Sequence, residues 1–257
     1  MWEEIKRKID DAELILAGIG EEFDGQSVLG GNVQWNDMEE ELTARNEAWM
    51  LPILRYTALR EQNSGITEAL VRLKAVLQGK NYFLISTCTS GILETMGFIE
   101  ERIVLPCGSF YKKQCPDGCA EGLQDITDDE RDLLISWIQQ RNDRQISIGR
   151  CPHCGRELVL NNVYYEKYDE NGYMEAWSRY TKWLQGTLNR KLCILELGVN
   201  LDYPSVIRFP FEKAGFYNQK AVLIRVNERL YQLPENMGGR GISIAKNSID
   251  WLLDYVI

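Results

Sequence analysis

The spacing of apolar and polar positions changes several times along the chain, and each change predicts an element. Trp2 to Ala12 carries apolar positions at helical spacing. Glu13 to Gly18 (ELILAG) is a short apolar run ending in small residues, the pattern of a strand buried on both faces. Gly25 to Asn32 is Gly-rich and polar and predicts a loop. Trp35 to Leu77 reads as helical, with Pro52 near a helix start. Asn81 to Ser86 (NYFLIS) and Arg102 to Leu105 (RIVL) predict the second and third strands. An acidic helix follows over Thr127 to Arg141, where Thr127 and Glu130 have the spacing of a capping box. Beyond it come a helix over Tyr173 to Leu188, strands over Lys191 to Leu197 and Ala221 to Val226, and a helix over Ser248 to Val256. Strands alternating with helices predict an α/β fold, a Rossmann-like and mostly parallel sheet with helices on both faces. Cys107 to Gly155 breaks the alternation and reads as an insert, a small zinc-ribbon and helical domain. The expected organisation is one domain over residues 1–257. Its large part spans 1–34, 78–106 and 160–257, with a helical module at 35–77 and the zinc-ribbon insert at 107–159.

Composition narrows the function classes. With 44% hydrophobic and 26% charged residues, the chain is globular rather than disordered. No apolar run approaches the roughly 20 residues that span a bilayer, so no membrane role is expected. Met1 to Asp10 lacks the pattern of a signal peptide, and a cytoplasmic location is the expectation. A net charge of -9 without a basic stripe disfavours nucleic acid.

The strongest chemical signal is Cys115-Pro-Asp-Gly-Cys119 paired with Cys151-Pro-His-Cys154-Gly155. Zinc takes four soft ligands in a tetrahedron, and two cysteine turns deliver them. Four protein ligands leave no open position, so this zinc is expected to be structural. His153, the only histidine, lies between two ligands and is expected to point away from the metal. A mechanism that needs a histidine base has no other source.

A nucleotide pocket is expected where the strands end in small residues. Ala17-Gly18-Ile19-Gly20 follows the first strand, and Gly198-Val199-Asn200 follows a later one. Two such turns at neighbouring strand ends form one crevice at a switch point. A tight strand-to-helix turn explains the first equally well. Glu21 and Glu22 repel a pyrophosphate unless they are turned away or bridged by a cation. Asn227 offers an amide to a ribose or adenine. Arg208, inside an apolar run, is either an anion binder or a snorkelling surface residue. The aromatics of Tyr164 to Trp183 read as core, or as the lining of a partner groove.

These residues together resemble the sirtuin family over nearly the whole chain. The resemblance rests on Leu14 to Gly20, Ile85 to Gly91 (ISTCTSG), the Cys107-Gly108 step into the zinc ribbon, and Gly198-Val199-Asn200. Gly97 to Ile103, Gln114-Cys115 and Leu195 to Lys213 look most like the macrodomain-linked bacterial branch, which resembles protein ADP-ribosyltransferases more than deacylases. The resemblance implies NAD in a crevice between a Rossmann domain and a zinc-bearing domain. It places Cys88 and Ser90 where the family has an NAD-contacting Asn and Asp, and Cys107 where it has its catalytic His. It recognises no phosphate-binding arginine after the first turn. A thiol is a poorer base than His at neutral pH, which argues against ordinary deacylation. Cys107 remains open between nucleophile, ADP-ribose acceptor, redox thiol and buried filler, with filler the default. Cys193 is expected in the core. Three functions follow: transfer of ADP-ribose from NAD to a protein acceptor, a non-catalytic nucleotide- or partner-binding module, and hydrolysis of NAD or lysine deacylation. For the first, Glu21, Glu22 and Asp202 are candidate carboxylates to stabilise a cationic centre.

Overall fold

A computed structural model describes residues 2–25, 33–62, 65–140 and 146–254. Most of the loop expected before Val33, and the end of the last helix, lie outside the described residues. The chain opens with α1 (Trp2–Asp10), acidic in its first turn and basic in its last, which complements the helix dipole. Strands β1 (Leu14–Ile19), β2 (Asn81–Ser86), β3 (Ile103–Val104), β7 (Leu192–Leu197), β8 (Val222–Asn227) and β9 (Gly241–Ala245) form one sheet in the order β3-β2-β1-β7-β8-β9. Every pairing in it is parallel.

Alternation along the central strands sorts the apolar side chains to two faces. Ile15, Ala17 and Ile19 of β1 join one core, while Leu14 and Leu16 join the other. β7 repeats this with Cys193, Leu195 and Leu197 against Leu192 and Ile194. The first face is covered by α1, α4 (Ile66–Leu77) and α9 (Ser248–Asp254). The second is covered by α7 (Asn171–Gln185) and α8 (Arg208–Tyr217). This is the doubly covered sheet that near-continuous apolar strands require. Cys193 sits in the first of these cores.

A third core lies outside the sheet. It joins α2 (Val33–Ala44) and α3 (Leu51–Glu61) to β4 (Gly108–Gln114), β6 (Val159–Asn162) and α6 (Asp128–Gln140). A small antiparallel sheet, β5-β4-β6, with β5 at Gln124–Asp125, carries the cysteine segment. Its helix α6 starts on the expected capping box: Glu130 N donates to Thr127 Oγ1 at 3.2 Å and Thr127 N donates to Glu130 Oε2 at 3.0 Å. The stretch expected as helical over 35–77 is three helices. Asn46 adopts φ 60° after α2, and Gly65 adopts φ 73° before α4. α4 packs on the main sheet, whereas α2 and α3 pack on the cysteine segment.

The sequence pattern overlooked α8 and β9. α8 carries Pro210 in its first turn, where a backbone N–H has no intrahelical partner anyway. β9 is an edge strand with only Ile244 buried, so it lacks the apolar run of the central strands. The short α5 (Ile92–Thr95) follows β2.

Candidate functional site

The chain runs outward from β1 to β3 in one direction and from β7 to β9 in the other. The carboxyl ends of β1 and β7 are therefore the topological switch point, the place where open α/β sheets take ligands. The two turns meet tightly there. A Cβ on Gly20 would lie 2.3 Å from Val199 Cα, and Gly20 N donates to Leu197 O at 2.8 Å. Gly198 turns at φ 64°, with the Glu22 side chain against it.

Carboxylates of this chain take the backbone donors of the switch point. Glu21 Oε2 accepts from Asn200 N at 2.7 Å, and Glu21 Oε1 accepts from Thr87 Oγ1 at 2.9 Å. Glu22 accepts from Glu228 N at 2.9 Å and Ser248 N at 2.7 Å, bridging the ends of β8 and β9. Burial raises the Glu21 carboxyl above its ordinary range, and these donors restrain the rise. The repulsion expected from two glutamates thus takes a definite form: they are anchored as acceptors.

Asp24, beyond the short 3-10 turn Glu21–Phe23, is almost fully buried. It accepts from Thr89 N and Ser90 N, each at 2.7 Å, from Thr89 Oγ1 at 2.9 Å, and from Arg55 Nη1 at 2.9 Å. Arg55 comes from α3 and is only 3% exposed. It also pairs with Glu39 of α2 at 3.1 Å and donates to Tyr164 Oη. Burial opposes its charge, but the Asp24 and Glu39 carboxylates outweigh that, so Arg55 stays a cation. Ser90 Oγ and Arg55 Nε are buried with no hydrogen-bond partner among the described residues. Such atoms call for an explanation, and a polar ligand group would satisfy them.

Cys107 lies between β3 and β4 and is 1% exposed. Burial pushes its thiol far up, and the Asp24 and Glu21 carboxylates push it the same way. At neutral pH it is a thiol, not a thiolate, and so neither a base nor an activated nucleophile. Tyr203 stands in the same field, its hydroxyl pushed up to about 12 by burial and by Cys107. Cys88 Sγ donates to Gly20 O at 3.2 Å.

The other residues named from sequence fall at different depths. Ala17, Gly18 and Ile19 lie within β1, one step before the turn. A Cβ on Gly18 would meet Ile207 and Phe211 at 2.6 Å, so this glycine admits α8 to the sheet. Asn227 is enclosed: its Nδ2 donates to Val199 O and Asn200 Oδ1, each at 3.1 Å, and its Oδ1 accepts from Arg229 N and Leu230 N. Arg208 is 6% exposed, which rules out snorkelling. It donates to Val199 O at 2.7 Å and Leu230 O at 2.9 Å and faces Glu196, which also pairs with Arg225 at 2.8 Å. Asp202 is exposed. The sequence motifs do not mark Asp24 or Arg55, and they hold Thr89 and Tyr164 only as members of longer stretches. Arg55 had a signal, being the lone charge in Met50 to Leu59 (MLPILRYTAL). Asp24 had none, because its partners come from two distant segments, Arg55 and Thr89–Ser90.

The Sγ atoms of Cys115, Cys119, Cys151 and Cys154 all lie within 4.8 Å of one another. Gly118 at φ 76° and Gly155 at φ 74° close the two turns, with Gly118 N on Cys115 O and Gly155 N on Cys151 O. Asp117 N points at Cys115 Sγ at 3.4 Å. Four thiols at this spacing fit a tetrahedral structural zinc. His153 is exposed and lies outside the group. No described helix is long and apolar enough to cross a membrane.

No family model matches the chain. It is 21% identical to a protein ADP-ribosyltransferase of Staphylococcus aureus, over 95% of this chain and 84% of that protein. It is 26% identical to a probable bifunctional ADP-ribose hydrolase/ADP-ribosyltransferase of Fusarium oxysporum f. sp. cubense, over 58% of this chain and 26% of that protein. Among solved structures, a mutant Sir2 homologue in complex with 2'-O-acetyl ADP ribose superposes with a TM-score of 0.58 at 14% identity, covering 100% of this chain and 96% of that one. Sir2 with a p53 peptide and NAD+ superposes with a TM-score of 0.56 at 13% identity, covering 98% and 96%.

Proposed function

We propose that this chain, which has the sirtuin fold, takes NAD as a co-substrate and transfers its ADP-ribose to a side chain of a protein acceptor, releasing nicotinamide. In that reaction the bond from the ribose anomeric carbon to the nicotinamide nitrogen breaks, and its electron pair leaves with nicotinamide. The acceptor heteroatom bonds to the same carbon and gives up its proton. The observation that carries the reading is the pair of buried carboxylates, Glu21 and Asp24, anchored by hydrogen bonds beside the switch point. Carboxylates held in place stabilise a cationic sugar centre electrostatically. Deacylation in this fold calls for a base, and here the thiol at that position holds its proton while the lone histidine is exposed elsewhere. Ser90 Oγ and Arg55 Nε are the donors left for the ligand's polar groups. The S. aureus and Fusarium relatives, named for ADP-ribosyl transfer, support the same reading. So do the NAD and ADP-ribose ligands named for the superposed Sir2 structures. A cytoplasmic location suits it, because the four clustered thiols hold a metal only while reduced.

The test is incubation of the zinc-loaded protein with NAD and candidate acceptor proteins, following nicotinamide release and label transferred to protein. Transfer is expected, and Asp24→Asn should lower it by about a hundredfold. Release of free ADP-ribose instead would make the chain a hydrolase. An unchanged rate in folded Asp24→Asn would remove the carboxylate from the mechanism.

One observation favours a second reading, a binding module without turnover. Glu21 and Glu22 already occupy amides of Asn200, Glu228 and Ser248 that an anionic ligand would use. On that reading NAD stabilises the protein without release of nicotinamide. Glu22→Ala should then tighten NAD by about fivefold or more, the scale of about 1 kcal/mol. Unchanged or weaker affinity would show that these amides are not ligand sites.

A further inference from the structure

A cavity of about 600 Å³ lies at the free edge of the main sheet, beside β3. Its walls come from α5, β3, β4, β5 and α7, and none of the switch-point residues lines it. Leu93, Phe98 and Ile103 contribute apolar surface, and Tyr111, Tyr168 and Tyr173 contribute aromatic rings. The volume is that of a site for a small organic molecule.

The charges in the lining do not cancel. Lys112 is paired with Asp125 and Arg179 with Glu175, each at 2.6 Å. Glu94 and Glu100 remain, with no ion pair to either among the described residues. Glu94, on α5, accepts a hydrogen bond from Ser109 Oγ of β4 at 2.6 Å. Burial pushes its carboxyl up to about 7, and no cation opposes that push. A desolvated carboxylate beside apolar and aromatic walls disfavours anions and gains most from a cation brought in with the ligand. Aromatic rings favour the same guest.

We propose that this cavity binds a small organic monocation, a primary ammonium group on an apolar or aromatic body, with Glu94 as its counter-ion. The cavity is lined by residues other than those of the nucleotide crevice, and the proposal holds whether or not the chain turns over NAD. The probe is phenethylamine, against 2-phenylethanol, which has the same body without the charge. Calorimetric titration at pH 8 should show the amine binding at least about tenfold more tightly than the alcohol, a difference of about 1.4 kcal/mol. Glu94→Gln should abolish that preference without lowering the melting temperature. Ala176→Trp, which fills the cavity from α7, should remove binding of both molecules. Equal affinity for the two, no amine binding at millimolar concentration, a preference that survives in Glu94→Gln, or binding retained in Ala176→Trp would each overturn the proposal.

Discussion

Arg55 shows how much a single side chain can join. It is a full charge inside a helix whose residues Leu51 to Leu59 are all buried, and its partners come from α2, the turn after β1, and the segment after β6. Removing one member of a buried pair leaves the other charge uncompensated, which is more costly than losing a surface bridge. Arg55→Met should therefore destabilise the protein by about 3–5 kcal/mol in denaturant unfolding. A loss within about 0.5 kcal/mol, the range of surface substitutions, would mean that the backbone amides of Thr89 and Ser90 hold Asp24 unaided. Cys107 makes the complementary point. Its place in the chain suggested catalysis, but a thiol surrounded by carboxylates and closed from water keeps its proton.

Among the elements, the β1 turn is tightly constrained by backbone. Its first residue touches the backbone of the β7 turn, so there is no side chain to move aside when a methyl group is added. Gly20→Ala should lower stability by about 3 kcal/mol or more, beyond the usual range for a point substitution. The control is Gly79→Ala. Gly20 has an extended backbone at φ -107°, whereas Gly79 has positive φ, at 73°, with its Cβ direction open, so there only the backbone term of about 1 kcal/mol applies. Equal losses in thermal melts of the two variants would show that the Gly20 contact relaxes freely. The turn is also where the reading of the pattern fell one residue short. β1 continues through Ile19, which places Gly18 under α8 and leaves Gly20 as the close-approach glycine.

Across the whole molecule, the cysteine segment and the two helices α2 and α3 share one core. The rings of Phe110 of β4 and Tyr56 of α3 pack at a tilt with centroids 4.9 Å apart, and Cys115 is in the same cluster as Trp35 and Leu54. The zinc site is thereby coupled to Arg55 and so to Asp24. Metal binding free energy becomes folding free energy for the part it organises. Chelating the zinc should erase amide-exchange protection in β4, β6, α2 and α3 while β1, β2, β7 and β8 stay protected. Cys151→Ser should do the same and lower the bound metal. Retained protection in α3 after metal loss would mean that this core folds without zinc.

Elements with strong periodicity and chemistry with fixed local spacing are readable from the order of residues along the chain. Four central strands, the capped helix α6 and the four-thiol cluster were legible because period, cap residues and cysteine turns are local properties of a few neighbouring residues. The tertiary structure alone decided which groups meet at the switch point. Asp24, Thr89, Arg55 and Tyr164 are separated by up to 140 positions in the chain, and no local pattern records that they share a buried charge network. It likewise decided that Glu21 and Glu22 are acceptors for backbone amides that follow other strands, and that Glu94 faces a cavity whose two cations are already paired with other carboxylates. Charge and burial act through space at a few ångströms, while a sequence pattern reports only neighbours along the chain.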